Sequence, residues 1–219
     1  VTSFYTDSRE TTPGKMFVPI RGENTDAHRF IPQVFASGAS ATFSEEPLDA
    51  PAGDVVYVEN TRAALQKVAE RYRERFNIPV IGITGSVGKT TTKEMVALAV
   101  SAGLKTMKTA GNANSQIGLP MTVLRITPED EAAIVEMGVS MPGEMARIAK
   151  VAKPNIAVMT KPSPVVSNGN MPPIKPPSKA LSTQYPSLSQ VIQSMNQPRS
   201  TPSGGSAEQV MEKVSSLMA

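Results

Sequence analysis

One stretch of this 219-residue chain restricts its fold more than any other. Pro79-Val80-Ile81-Gly82-Ile83-Thr84 is apolar and β-branched and reads as a buried strand. Gly85-Ser86-Val87-Gly88 is a turn, and Lys89-Thr90-Thr91 leads into a helix predicted over Thr90 to Ala102, with Met95, Leu98 and Ala99 facing inward. A strand feeding a helix through such a turn belongs to a parallel α/β sheet. The same turn suits a phosphate. Its glycines let backbone N–H groups point at an anion, and the helix N-terminus adds partial positive charge. Lys89 then reaches β- and γ-phosphates, and the Thr90 hydroxyl can coordinate Mg²⁺. Thr84, Gly85, Ser86, Val87, Gly88, Lys89, Thr90 and Thr91 are therefore the candidate residues for binding the phosphates of a nucleotide. The spacing is not the commonest one, since Ile83 stands where that consensus wants glycine. A turn that merely joins strand to helix is the plainer reading. It leaves the coincidence of strand, Gly-Lys-Thr and helix unexplained.

The pattern continues around this stretch. Short strands are predicted at Lys105 to Lys108, Glu131 to Met137 and Asn155 to Met159, with a helix from Pro142 to Val151. Apolar strands alternating with helices imply a parallel sheet covered on both faces. Upstream, Met16 to Ile20 and Asp54 to Glu59 read as strands. Arg29 to Ser37 reads as a helix with Phe30, Ile31, Val34 and Phe35 on one face. A longer helix starts at Asn60 or Thr61, with Leu65, Val68, Ala69, Tyr72 and Phe76 at helical spacing. Its other face, Lys67, Glu70, Arg71, Arg73, Glu74 and Arg75, is read as solvated. Three regions result: an α/β module with a linking helix over 1–76, a partial phosphate-loop domain over 77–160, and a tail over 161–219. Between 161 and 207 the tail has nine prolines and no acid, which predicts disorder. A short amphipathic helix is expected from Ser206 to Met218.

Glu136 ends a predicted buried strand about one βα unit after the loop. An acid there can hold Mg²⁺ and serve catalysis with Lys89, or it is an ordinary strand-end carboxylate; residue type and position alone leave both open. The chain has no cysteine, which excludes disulfides and thiolate metal sites and fits a reducing cytoplasm. One histidine, His28, rules out sites that need two imidazoles. It is read as a polar structural residue or one near the substrate, not a base. The net charge of +3 arises beyond residue 160, where Lys161, Lys175, Lys179, Arg199 and Lys213 face only Glu208 and Glu212. Charge of that origin gives no case for a nucleic-acid partner. No apolar run approaches the ~20 residues of a membrane helix, so no membrane insertion is expected.

Several separate stretches together resemble the Mur ligase family. Ile83-Thr84-Gly85-Ser86-Val87-Gly88-Lys89-Thr90-Thr91-Thr92-Lys93-Glu94-Met95 is similar to its ATP loop, T-G-[ST]-x-G-K-[ST], and accounts for the shifted glycines. Thr6-Asp7-Ser8-Arg9 resembles its N-terminal T-D-S-R motif. Pro13 to Pro19, and Gly22-Glu23 with Asp26 to Phe30, are similar to the segment after it. Gly111-Asn112-Ala113-Asn114-Ser115-Gln116-Ile117-Gly118-Leu119-Pro120 and Glu136-Met137-Gly138 with Pro142-Gly143-Glu144 resemble two further motifs. Within the family, the likeness is greatest to members that act on UDP-N-acetylmuramoyl-tripeptide and D-alanyl-D-alanine.

The resemblance implies an ATP-dependent ligase of peptidoglycan precursor synthesis. Such an enzyme phosphorylates the peptide carboxylate to an acyl phosphate, which D-alanyl-D-alanine then attacks. It implies Lys89 at the transferring phosphate, Thr90 and Glu136 on Mg²⁺, Asp7, Ser8 and Arg9 near the UDP end, and Asn112 and Asn114 lining the cleft. Beyond Thr160 the resemblance stops. The family's His-Leu pair, its carbamylated lysine and its C-terminal domain have no counterpart, so this chain alone is expected not to complete a ligation. Two rival readings stay open: a neighbouring Mur ligase acting at the dipeptide stage, and a non-catalytic nucleotide- or UDP-sugar-binding module. Pro172-Pro173 and Pro176-Pro177 also suggest a polyproline ligand, against the plainer reading of a linker.

Overall fold

The computed structural model describes residues 3–10, 13–23 and 25–160. The tail from 161, with its expected helix, lies outside the described residues. The described residues form two four-stranded parallel sheets.

The first sheet runs β1 (Ser3–Tyr5), β2 (Lys15–Phe17), β3 (Ala41–Ser44) and β4 (Asp54–Tyr57), paired in that order. Successive residues of a strand face opposite sides, and Met16 and Phe17 show this directly. Phe17 packs with Tyr5 against Ile31, Val34 and Phe35 of α1 (Ile31–Ala36). Met16 packs with Phe43 against Leu65 and Val68 of α2 (Thr61–Arg73). The expected helix at Arg29 is split in two: a 3-10 turn over Ala27–Phe30 precedes α1. Asn60 caps α2, its side-chain oxygen accepting from the Ala63 N–H at 2.9 Å, a contact worth ~1 kcal/mol.

The solvated reading of the charged face of α2 is corrected at two positions. Arg73 is buried and donates to three carbonyls: Ala152 (3.2 Å), Phe76 (2.5 Å) and Ile78 (3.2 Å). Glu70, also buried, lies 3.7 Å from Lys67 and 3.9 Å from Lys153. Beside local partners, each meets one far along the chain, Ala152 for Arg73 and Lys153 for Glu70, which a helical-wheel reading of α2 alone cannot see.

The second sheet has the order β6-β7-β5-β8, from β5 (Val80–Thr84), β6 (Thr106–Lys108), β7 (Ala132–Glu136) and β8 (Ile156–Met159). One face is covered by α4 (Gly118–Val123), α5 (Glu144–Ala152) and Ala69 of α2. There Val80, Ala133 and Val135 meet Leu119, Val123, Ile148 and Val151. The opposite face carries α3 (Lys89–Ser101), whose Val96, Ala97 and Val100 lie on Ile81, Ile83 and Ile134. This overturns the expected inward face. Met95 is 67% exposed and Leu98 77%, Ala99 is exposed too, and the buried positions are Lys93 and Ala97. The face that packs is instead that of Val96, Ala97 and Val100, with Lys93 reaching the Gly111 carbonyl and Glu136 beside them.

α2 is shared by both sheets. Leu65 and Val68 belong to the core of the first and Ala69 to that of the second. Tyr72 donates its hydroxyl to the Ile126 carbonyl at 2.6 Å, and Gln66 donates to the Gln116 carbonyl at 3.0 Å.

Candidate functional site

The site forms where β5 and β7 end side by side, with Ile83 opposite Glu136 in the ladder. This is the carboxyl edge of a parallel sheet, where open α/β folds gather their ligands. From Thr84 the chain turns through Gly85 (φ +130°) and Gly88 (φ +84°), both in backbone regions that side chains resist. Gly85 is needed twice over, because a Cβ there would lie 2.1 Å from the Thr160 hydroxyl oxygen and 2.8 Å from its carbonyl oxygen. Thr160 in turn donates both its N–H (2.8 Å) and its hydroxyl (3.1 Å) to the Thr84 carbonyl, tying the chain after β8 to the base of the loop. The N-cap of α3 is Gly88, which has no side chain to satisfy the helix's first N–H groups, a helix start suited to an anion.

The Lys89 ammonium folds back on the loop, donating to the Gly85 carbonyl at 2.8 Å and more loosely to that of Ser86 at 3.5 Å. Ser86, Val87, Gly88 and Thr91 are exposed, and Thr84 and Gly85 half-buried. The Thr90 hydroxyl donates to Glu136 Oε2 at 3.1 Å. Glu136 Oε1 accepts from the Asn114 amide at 2.7 Å, and the Glu136 N–H donates to the Thr109 hydroxyl at 2.9 Å. Only 1% of Glu136 is exposed, which is costly for a carboxylate unless its oxygens are met. Here both are. A hydroxyl and a carboxylate at this spacing are hard oxygen donors of the kind Mg²⁺ prefers. Mg²⁺ commonly takes one or two such protein groups and completes its shell with phosphate and water. The residues present fit that ion. Among the described residues no group of three or more His, Cys, Asp or Glu gathers as a metal cluster.

The structure thus brings Lys89, Thr90, Glu136 and Asn114 together. Asn112 is exposed on the same loop, and its carbonyl accepts from the Asn114 N–H at 2.7 Å. Asp7, Ser8 and Arg9 sit apart, just after β1 at the carboxyl edge of the first sheet. Asp7 and Arg9 pair with one another, Arg9 Nε lying 2.9 Å from Asp7 Oδ1. The Arg9 side chain, then its N–H, hold the Asp7 carboxyl down at about 2. His28 bridges two segments: its Nε2 accepts from the Glu45 N–H at 3.3 Å, which leaves Nδ1 to donate to Asp26 at 2.6 Å.

Three contributors were not read as site residues. Lys93, at 1% exposure, donates to the Gly111 carbonyl at 2.9 Å and lies 3.8 Å from Glu136. Gly138 lets the Asn114 amide close in, since a Cβ there would lie 2.7 Å from Asn114 Oδ1. Glu144 accepts from the Ser140 and Met141 N–H groups and from Gln116 (2.6, 3.1 and 2.7 Å), joining the loop after β7 to the loop before α4. An inward face of Met95, Leu98 and Ala99, as expected from sequence, turns Lys93 outward and hides it; only its contacts reveal it.

Strand, glycine turn, lysine and threonine at a helix start, and a facing acid define the phosphate-loop class of nucleotide-binding α/β proteins. Residues 83–164 match the Mur ligase middle domain. The UDP-N-acetylmuramoyl-tripeptide–D-alanyl-D-alanine ligase of Synechocystis sp. is 42% identical over 162 residues, which is 73% of this chain and 36% of that protein. The ligases of that name from Escherichia coli (42%) and Bacillus subtilis (39%) match 70% and 71% of this chain and 34% of their own length. A crystal structure of MurF from Acinetobacter baumannii superposes with a TM-score of 0.69 at 37% identity, covering 72% of this chain and 35% of that one. MurF ligase from Thermotoga maritima, solved in complex with ADP, gives 0.67 at 34% identity, with 73% and 37% covered. The chain belongs to the Mur ligase family. It spans about a third of the length of the curated relatives it matches. Among the described residues no helix is long and apolar enough to cross a membrane.

Proposed function

We propose that residues 1–76 are a module for the UDP end of a muramoyl-peptide substrate, and that residues 77–160 begin the ATP-binding domain of a cytoplasmic ligase. That ligase joins D-alanyl-D-alanine to UDP-N-acetylmuramoyl-tripeptide. The observation that carries this is the convergence of the Thr90 hydroxyl on the buried Glu136 carboxylate, 3.1 Å apart, at the lip of a glycine loop that holds Lys89. The names of the matched relatives supply the substrates.

In the proposed reaction the γ-phosphoryl group of ATP passes to the peptide carboxylate, releasing ADP and leaving an acyl phosphate. The amine of D-alanyl-D-alanine then attacks the acyl carbon, phosphate departs, and an amide remains. Lys89 leaves its carbonyl contacts to meet the transferring phosphate, and the loop N–H groups of Gly85 to Thr91 cradle the others. This is catalysis by positioning and charge neutralisation. Thr90 and Glu136 would hold Mg²⁺, which, when bound, offsets phosphate charge. Asp7 aims Arg9, and with Ser8 these contact the UDP end. Asn112 and Asn114 line the cleft between, Asn114 while also bracing Glu136.

The test is nucleotide binding by the 219-residue chain. A fluorescent ADP with Mg²⁺ is expected to bind, and Lys89→Met to weaken binding at least about tenfold, the loss of one charge-assisted contact. Absence of nucleotide binding by the unmodified chain sinks the reading.

A further inference from the structure

The inward face of α3 carries a charge where packing alone would place an aliphatic side chain. Lys93 is buried to 1% exposure on a face otherwise made by Val96, Ala97 and Val100. Its ammonium has three neighbours. It donates to the Gly111 carbonyl at 2.9 Å, and it lies 3.2 Å from Glu94 Oε1 and 3.8 Å from Glu136 Oε2. Glu94 is half exposed and also pairs with Lys108 at the surface, so water screens much of its pull. Glu136 is buried like Lys93 itself. Their attraction is screened little, and each is the charge that makes the other's burial tolerable. The contact to Gly111 adds a second tie, because the loop that starts there carries Asn114, the other group holding Glu136.

We propose that Lys93 is a positioning residue that acts as the resident counter-ion of Glu136: it holds the acid in place before a divalent cation arrives and sets how tightly that cation is then bound. This rests on the reading of Thr90 and Glu136 as the Mg²⁺-binding pair. A fixed ammonium beside the carboxylate opposes a cation entering there. It therefore keeps affinity for the free ion low and makes tight binding depend on the nucleotide phosphates that come with it. Removing the charge leaves the acid uncompensated and the incoming cation unopposed, so cation affinity rises. A residue that only supported the fold would act the other way, since a damaged site binds less.

The experiment measures Mn²⁺, as a paramagnetic stand-in for Mg²⁺, binding to the 219-residue chain with and without ADP. Lys93→Met and Lys93→Gln are compared with the unmodified chain, and thermal midpoints are recorded on the same samples. Expected is tighter Mn²⁺ binding without nucleotide in both variants, about tenfold for the loss of one nearby charge. The gain should vanish when Glu136→Gln is added. Unchanged or weaker Mn²⁺ binding by folded Lys93 variants overturns the proposal and leaves the metal-site reading standing. Failure of Glu136→Gln to reduce Mn²⁺–ADP binding overturns both. If neither Lys93 variant folds, the double variant Lys93→Gln/Glu136→Gln, in which both charges are gone, must regain a cooperative transition; if it does not, the pairing with Glu136 is not what keeps Lys93 buried and the proposal falls.

Discussion

Arg73 offers a quantitative test of how the linking helix is fastened to the second sheet. Its guanidinium is buried, pairs with no carboxylate among the described residues, and donates instead to the carbonyls of Ala152, Phe76 and Ile78. Ala152 ends α5, and Phe76 and Ile78 lie in the segment that enters β5, so one side chain ties these two places together. Burial pushes the Arg73 pKa down from its ordinary value, the sign of a cation held without a compensating anion. Arg73→Met keeps most of the length and removes every donor. Three carbonyls then lose a charged partner at ~1–1.5 kcal/mol each, while the desolvation cost of the guanidinium is recovered in part. The net expected loss is about 2–3 kcal/mol, a sizeable share of the ~5–15 kcal/mol that stabilises a typical domain. In urea denaturation followed by far-UV circular dichroism this lowers the midpoint by about 1–1.5 M at a slope of about 2 kcal/mol/M. Arg73→Lys reaches one carbonyl at best and should fall between. If Arg73→Met costs under ~0.5 kcal/mol, or Arg73→Lys matches the unmodified chain, the three hydrogen bonds contribute no net stability and the argument is wrong.

Two further outcomes follow from contacts elsewhere. Gly138→Ala places a methyl group 2.7–2.8 Å from the Asn114 amide, so that side chain must leave Glu136. Mg²⁺-dependent ADP binding should weaken about three- to tenfold, as befits one lost hydrogen bond, with a thermal midpoint shifted by only a few degrees; a midpoint that collapses while binding per folded molecule is unchanged refutes the link to Glu136. The Asp26 carboxyl is lowered from its ordinary 3.8 to about 2, chiefly by the His28 N–H and then by the His28 and Arg21 side chains against an opposing effect of burial. A carboxyl depressed in the folded state stabilises it above its unfolded pKa and loses that contribution as pH falls through its folded one. Asp26→Asn should therefore make stability against pH less steep between about 4 and 2, leaving the parts due to Asp7 and to the lowered Glu45, Glu74, Glu94, Glu129 and Glu144 carboxyls, and an unchanged profile in acid titrations counts against it.

The parts of the structure legible in the sequence were those with local causes. β5, its glycine turn and α3 were visible because an apolar run, positive-φ glycines and a helix start must occur in that order. Asn60 was legible as a cap for the same reason. What escaped depended on partners distant in the chain. The face of α3 was misread because a wheel of apolar residues favours Met95 and Leu98, whereas the pull on Lys93 comes from Glu136 and Gly111. Arg73 and Glu70 look like surface residues until α5 is laid beside them. β1 and β3 are three and four residues long, and every residue of β3 is buried, so neither shows the alternation that marks a half-exposed strand. Glu136 could be placed at a strand end from sequence, but Thr90, Asn114 and Lys93 reach it from other elements and could not be placed around it.

The sharing of α2 between two cores bears on what this part of the molecule can measure. Leu65 and Val68 belong to one sheet and Ala69, one residue on, to the other, while Tyr72 and Gln66 pin the same rod to the loops flanking α4. A joint made this way leaves little room for one sheet to swing against the other without exposing a core. The interval between the Asp7–Arg9 corner and the Lys89 loop is then a fixed gauge. On the proposed reading, in which a substrate touches both ends, it is selected by its length before its chemistry is tested, and any change in helical phase along α2 would recalibrate which length is accepted.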